Sequence, residues 1–223
     1  AAKAKPMSAN EVAAMQLLVL MRDTRERSLG VRGAFSNPVA AHTLQSSLPD
    51  IIAALRTAAD GTADITKVGA AMRELADGVA RVAKSEEAAL VDVLHSSGAL
   101  AAVVLSCSAL PLDDELSQPL VSGLIVLGNA SFMGGAALVA DVGGVELTVR
   151  LLCADAIVPL KVRRVAAVAL HHLLAGERRA LRMIRASDRA PLLKALDALT
   201  DDPASFEYAK KAIRALRSVR GPG

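Results

Sequence analysis

Residues Gly143 to Leu174 read GGVELTVRLL, then CADAIVPLK, then VRRVAAVALHHLL. The glycine pair is a turn, and the two apolar blocks carry residues at helical spacing on either side of a break containing Asp155 and Pro159. The stretch therefore predicts a turn followed by two helices. Its pattern recurs along the chain. Leu120, Leu124 and Leu127 are followed 46 residues later by Ala166, Leu170 and Leu173, and 46 residues later again by Ala212, Leu216 and Val219. An earlier, fainter set is Leu75, Val79 and Val82. Units of this size are supersecondary elements that cannot bury their own apolar face, so they stack and leave long surfaces open to partners.

Around that ladder each unit is legible in three parts. Short first helices are expected at AAHTLQ, EEAALVDVL, GGAALVADV and RRALRMIRA, the last three beginning at Glu86, Gly134 and Arg178. Second helices follow at SSLPDIIAALRTAA from Ser46, SSGALAAVVLSCSAL from Ser96, VGGVELTVRLL from Val142 and DRAPLLKALDAL from Asp188. Breaks fall at Asp60-Gly61, Pro111 to Pro119, Asp155 to Pro159 and Asp201 to Pro203. Ahead of the units, Ser8 and Glu11 make a capping box, Val12 to Met21 reads as a buried helix ending near Gly30, and Gly30 to Pro38 reads as a loop. The expected organisation is a capping helix and loop over 1–35 and repeats over 36–223, in units of about 36–83, 84–129, 130–175 and 176–220.

This arrangement resembles the armadillo family, whose repeats have a short first helix, a glycine turn and two longer helices. The best match is Gly128 to Gly176, and VRRVAAVAL also resembles the second helix of HEAT repeats. In Asp188 to Val219, Pro191 stands near the place of the turn glycine. The resemblance covers residues 36–220 and implies an all-α fold, a right-handed α-solenoid of about four repeats with an N-terminal capping helix. It also implies a groove lined by third helices, where an Asn hydrogen-bonds the backbone of an extended peptide. Asn129 stands at that place, and His172, Arg81 and Arg217 follow in the neighbouring units.

Composition sets further bounds. Apolar residues make up 52 % of the 223 and aromatics only 2 %, so the core has to be Ala, Val and Leu brought together by close helix approach. So much apolar content in a short stack favours a subunit partly covered by neighbours. Cys107 and Cys153 sit in apolar patterns without metal or redox spacing and are expected as buried thiols. His171 and His172 are adjacent, so their side chains diverge by about 100° on a helix and do not suit one metal ion. His42 and His95 lack partners for a site, and Asp113, Asp114 and Glu115 suit a helix N-terminus. No phosphate loop, nucleophile elbow or zinc-protease motif occurs. The expectation is therefore a protein that is not an enzyme and needs no cofactor or metal.

Residues 161–223 hold fourteen Lys or Arg against six acids, while 1–160 hold twelve against seventeen. Arg178, Arg182, Arg185 and Arg189 recur at helical spacing as one stripe, with Lys210, Lys211 and Arg214 completing a basic patch. Such a patch suits an acidic protein surface, an anionic membrane surface or, as the alternative, nucleic acid, for which only Phe206 and Tyr208 offer stacking. The uncharged run Leu116 to Ala140 is long enough to span a bilayer, yet Gly128 to Ser131 and Gly134-Gly135 interrupt it. Two soluble helices, and no transmembrane segment, are expected there. Ala1 to Pro6 is short and basic, so no signal peptide is expected; the first residue is not Met, which leaves a removed leader or a longer parent chain open. The expected compartment is intracellular, either the cytoplasm or an organelle. The function expected is a protein interaction scaffold or a structural subunit of a larger complex.

Overall fold

The computed structural model describes residues 41–61, 64–82, 84–112, 117–154 and 157–218. All of them belong to the second of two compact units, Asn37–Gly223. The Ser8–Glu11 capping box, the Val12–Met21 helix, the Gly30–Pro38 loop and the Asp113–Glu115 run lie outside the described residues.

The apolar periodicity becomes helix along the described residues. The first unit is α1 (Ala41–Gln45), α2 (Leu48–Ala59) and α3 (Ile65–Arg81). A 3-10 turn at Lys84–Glu86 leads into α4 (Glu87–Ser96), α5 (Ala99–Ala109) and α6 (Ser117–Ala130). A π-helical segment, Ser131–Gly135, then runs into α7 (Ala136–Asp141), α8 (Gly144–Cys153) and α9 (Leu160–Gly176). The last unit is α10 (Ala180–Met183), α11 (Ala186–Ala198) and α12 (Phe206–Ser218). No strand occurs among the described residues, and the fold is all-α.

Local chemistry sets the corners. Gly98 and Gly143 precede α5 and α8 with φ of 79° and 92°, a left-handed turn that a side chain would strain. Asp64 caps α3 by accepting from the backbone N–H of Thr66 and Lys67. Arg150 donates to the carbonyls of Cys107 and Ser108 at 3.3 Å, satisfying free acceptors at the end of α5.

Packing joins like to like. The second helices meet in succession, α2 on α5, α5 on α8 and α8 on α11. The third helices do the same, α3 on α6, α6 on α9 and α9 on α12. Leu75, Leu120, Leu124, Leu127, Ala166, Leu170, Leu173 and Ala212 are completely buried between them. Val82 is buried too, but it follows the last residue of α3. Small residues make this possible. A Cβ added to Gly128 would lie 3.5 Å from the Cα of Ala169, so α6 and α9 cross almost backbone to backbone.

Three sequence expectations are corrected. Gly128 to Ser131 does not break the apolar run; residues 128–130 are helical, and the kink is at Gly134, where φ is 97°. Pro191 is not a turn residue but lies inside α11, because the turn has moved forward to Ile184 and Arg185, both extended. The same shift dissolves the arginine stripe. Arg178 precedes α10, Arg182 lies in it, Arg185 caps α11 and Arg189 lies inside α11, so the four share no helix. The segment Ser117–Asp141 is long and apolar enough to cross a membrane by length and composition. Of its most apolar stretch, 72 % is buried against the rest of the protein, as in a soluble core helix.

The last two units are also tied by charge. Arg164 on α9 donates through Nε at 2.9 Å and through Nη2 to the Asp202 carboxylate, which also accepts from Ser205 Oγ at 2.6 Å. Both partners are largely buried, so removing one strands the other. Asp202→Ala is expected to lower stability by about 2 kcal/mol in urea titration. A loss no greater than that of an exposed control, Asp201→Ala, would show the pair to be idle.

Candidate functional site

Aromatic side chains are scarce, three Phe and one Tyr in the whole chain, so their placement is informative. Phe132 leaves the π-helical segment just after Ser131, whose Oγ donates to the Leu127 carbonyl at 2.7 Å. It meets His172 of α9 edge-on, with ring centres 5.3 Å apart and planes at 75°. His171 and His172 lie 5.1 Å apart, and Tyr208 of α12 closes the group at 5.7 and 5.9 Å from them. Four rings from the π-helical segment, α9 and α12 thus form one half-buried cluster. Edge-to-face and tilted geometries at these distances are attractive.

Cations rim the cluster. Lys211 sits 5.8 Å from the Tyr208 ring and 3.6 Å from the Glu207 carboxylate, while Lys210 lies over Phe206 at 4.0 Å. Burial, and then electrostatic repulsion of the imidazolium form by His171 and Lys211, hold His172 down to about 4. Burial and Lys211 lower His171 as well. Both imidazoles are therefore neutral at pH 7, each with one donor and one acceptor nitrogen.

The residues expected in the groove divide. His172 is in the cluster. Asn129, on α6, is 5 % exposed and lies one helical turn before Phe132, hence on the same side of the helix. Arg81 ends α3 and Arg217 lies near the end of α12; both are exposed and neither joins the rings. Arg81 instead borders a cleft of about 480 Å³ between α1 and α3, with Thr43, Arg73, Glu74 and Asp77. Of the basic patch, Arg178, Arg182, Arg185, Lys210, Lys211 and Arg214 are exposed and Arg189 is half-buried.

Phe132, His171 and Tyr208 were not expected together. The signal available was scarcity: three of the four aromatics lie between residues 132 and 208, around the paired histidines. Among the described residues, no group of three or more His, Cys, Asp or Glu could hold a metal ion. Cys107 is buried in an apolar setting that pushes its thiol up to about 12, so it is not a nucleophile at neutral pH. Burial, then the charge of Asp188, also raises the half-buried Cys153. Comparison with protein families, with curated proteins and with solved structures finds no match to this chain.

Proposed function

We propose that the chain is a non-enzymatic interaction module, an armadillo-like α-solenoid that carries a segment of a partner protein along its third helices. The observation that carries this reading is the half-buried ring cluster on α9, α12 and the turn after α6, rimmed by Lys210 and Lys211. Asn129 has no side-chain hydrogen bond to a described residue, and a primary amide suits the donor and acceptor of a peptide group. The mechanism is shape and a few side-chain hydrogen bonds on a rigid stack, with charge steering the approach. The alternative reading, nucleic acid or an acidic surface held by the basic last unit, is favoured by the exposed Arg178, Arg182, Arg185 and Arg214.

Cross-linking mass spectrometry of the native complex tests the choice of face. Cross-links to a partner are expected at Lys161, Lys210 and Lys211 on α9 and α12, and to be sparse at Lys194 on α11. A partner cross-linked mainly through Lys194, or a chain found monomeric and unaccompanied in its native extract, would sink the proposal. For the alternative, duplex DNA affinity should fall steeply with salt and survive Asn129→Ala.

A further inference from the structure

If the third helices carry a partner segment, the ring cluster specifies what that segment contains. His171 and His172 present four ring nitrogens, and none hydrogen-bonds another described residue. Next to them stands the Lys211 ammonium, whose ion pair among the described residues is weakly held. Lys211 and Glu207 are an exposed i, i+4 pair at 3.6 Å, a geometry that contributes little and is readily given up. The site therefore offers imidazole N–H donors beside a loosely paired positive charge. What it lacks is an anionic acceptor firmly held against both.

The surroundings agree. From α12 the imidazoles face Tyr208 and Lys211, and from the π-helical segment His172 faces Phe132. Charged groups on the other elements packed against α9 are engaged elsewhere or exposed. Asp141 at the end of α7 pairs with Arg179, Arg150 of α8 bonds the α5 carbonyls, and Glu146 and Arg182 are exposed. The net charge of the last unit adds attraction at longer range.

We propose that Lys211, His171 and His172, framed by Phe132 and Tyr208, seat an aspartate or glutamate side chain of the bound protein segment. The carboxylate pairs with the Lys211 ammonium and accepts from an imidazole N–H. Its charge favours the imidazolium form, so seating it draws a proton from solvent onto the histidine pair. Binding then tightens as pH falls. A peptide carboxylate suits the site better than a phosphate backbone, because the exposed Arg178, Arg182 and Arg185 share no helix with one another or with Arg214 and Arg217 of α12, and so line up in no single stripe. The proposal rests on the third-helix reading above and fails separately from it.

The experiment is fluorescence anisotropy with a labelled oligoglutamate decamer carrying a photo-cross-linker, on the full chain at pH 8 and pH 6. Affinity is expected to rise about tenfold over that interval. His171→Gln with His172→Gln should remove the rise, Lys211→Met should weaken binding at both pH values, and Arg182→Ala should weaken it while leaving the rise intact. Calorimetry on the wild-type chain in two buffers of different ionisation enthalpy needs no variant, and net proton uptake at pH 6 is expected. No uptake, or a pH rise that survives the double histidine variant, overturns the carboxylate seat. If cross-links still map to α9 and α12 in that case, the third-helix reading stands; if they map to α8 and α11, both fall. Tighter binding of duplex DNA than of the peptide, with the same histidine dependence, assigns the site to nucleic acid and overturns the proposal.

Discussion

Gly144→Val should cost about 3–5 kcal/mol of stability, a loss read as a large drop in the urea midpoint. A Cβ at this position would lie 2.5 Å from Val139 Cγ1 and 2.8 Å from the Val139 carbonyl oxygen. A side chain can rotate away, but the carbonyl belongs to α7 and is fixed by the turn. Only Val142 and Gly143 separate α7 from α8, Gly143 holds the left-handed conformation, and the Val142 N–H bonds the Leu138 carbonyl. Val139 and Val145 are both fully buried, so neither helix can retreat without opening the core. Gly134 supplies the contrast. Its φ is 97°, and an added Cβ would meet nothing within 4 Å, so Gly134→Ala should cost only the left-handed strain of about 1–2 kcal/mol. Equal losses at Gly134 and Gly144 would mean that steric contact between α7 and α8 is not what the glycine pair protects.

Those two glycines also show where the sequence could and could not be read. The helices were legible because Leu120, Leu124 and Leu127 repeat as Ala166, Leu170 and Leu173, and only a face packed at helical period needs that pattern. Gly143 was legible as a turn because it stands between two apolar blocks. Gly128 misled, since glycine serves equally where the backbone turns and where another helix comes close, and only the partner, Ala169, separates the two uses. The arginine spacing misled for a related reason. Helical periodicity in charged residues carries no burial constraint, so nothing in it reveals that Ile184 and Arg185 are extended. At the site, His172 was found by its register in the repeat. Its neighbours Phe132 and Tyr208 are 40 and 36 residues away, at the start of the same unit and in the next one, contacts that helical period along one segment does not encode.

Acidification should destabilise the free chain by about 3 kcal/mol between pH 7 and pH 4 through His172 alone. In the unfolded chain this imidazole takes up its proton near 6.5, whereas in the fold burial, His171 and Lys211 hold it down to about 4. Between those values the unfolded state binds a proton that the folded state refuses. The stabilisation is therefore complete above about pH 6.5, is lost as pH falls through the window, and levels off below about 4. His171 is lowered as well and pulls in the same direction. The carboxylate of Glu177 is held below its ordinary range, chiefly by the backbone N–H of Arg179, so its protonation belongs to lower pH and does not imitate the histidine window. His172→Gln separates the effects. It gives up the ring contacts with Phe132 and Tyr208, about 1 kcal/mol at pH 7, but should flatten the acid limb because no buried imidazole remains to be charged. Urea midpoints at intervals from pH 7.5 to 4.5 check both. A wild-type profile flat from pH 7 to 5, or a variant as steep as wild type, would place the acid sensitivity outside the cluster. The same physics runs in reverse when a carboxylate occupies the site: the proton that destabilises the empty cluster then becomes one that the complex needs, so acid sensitivity of the free chain and acid strengthening of the bound one are expected from the same two imidazoles.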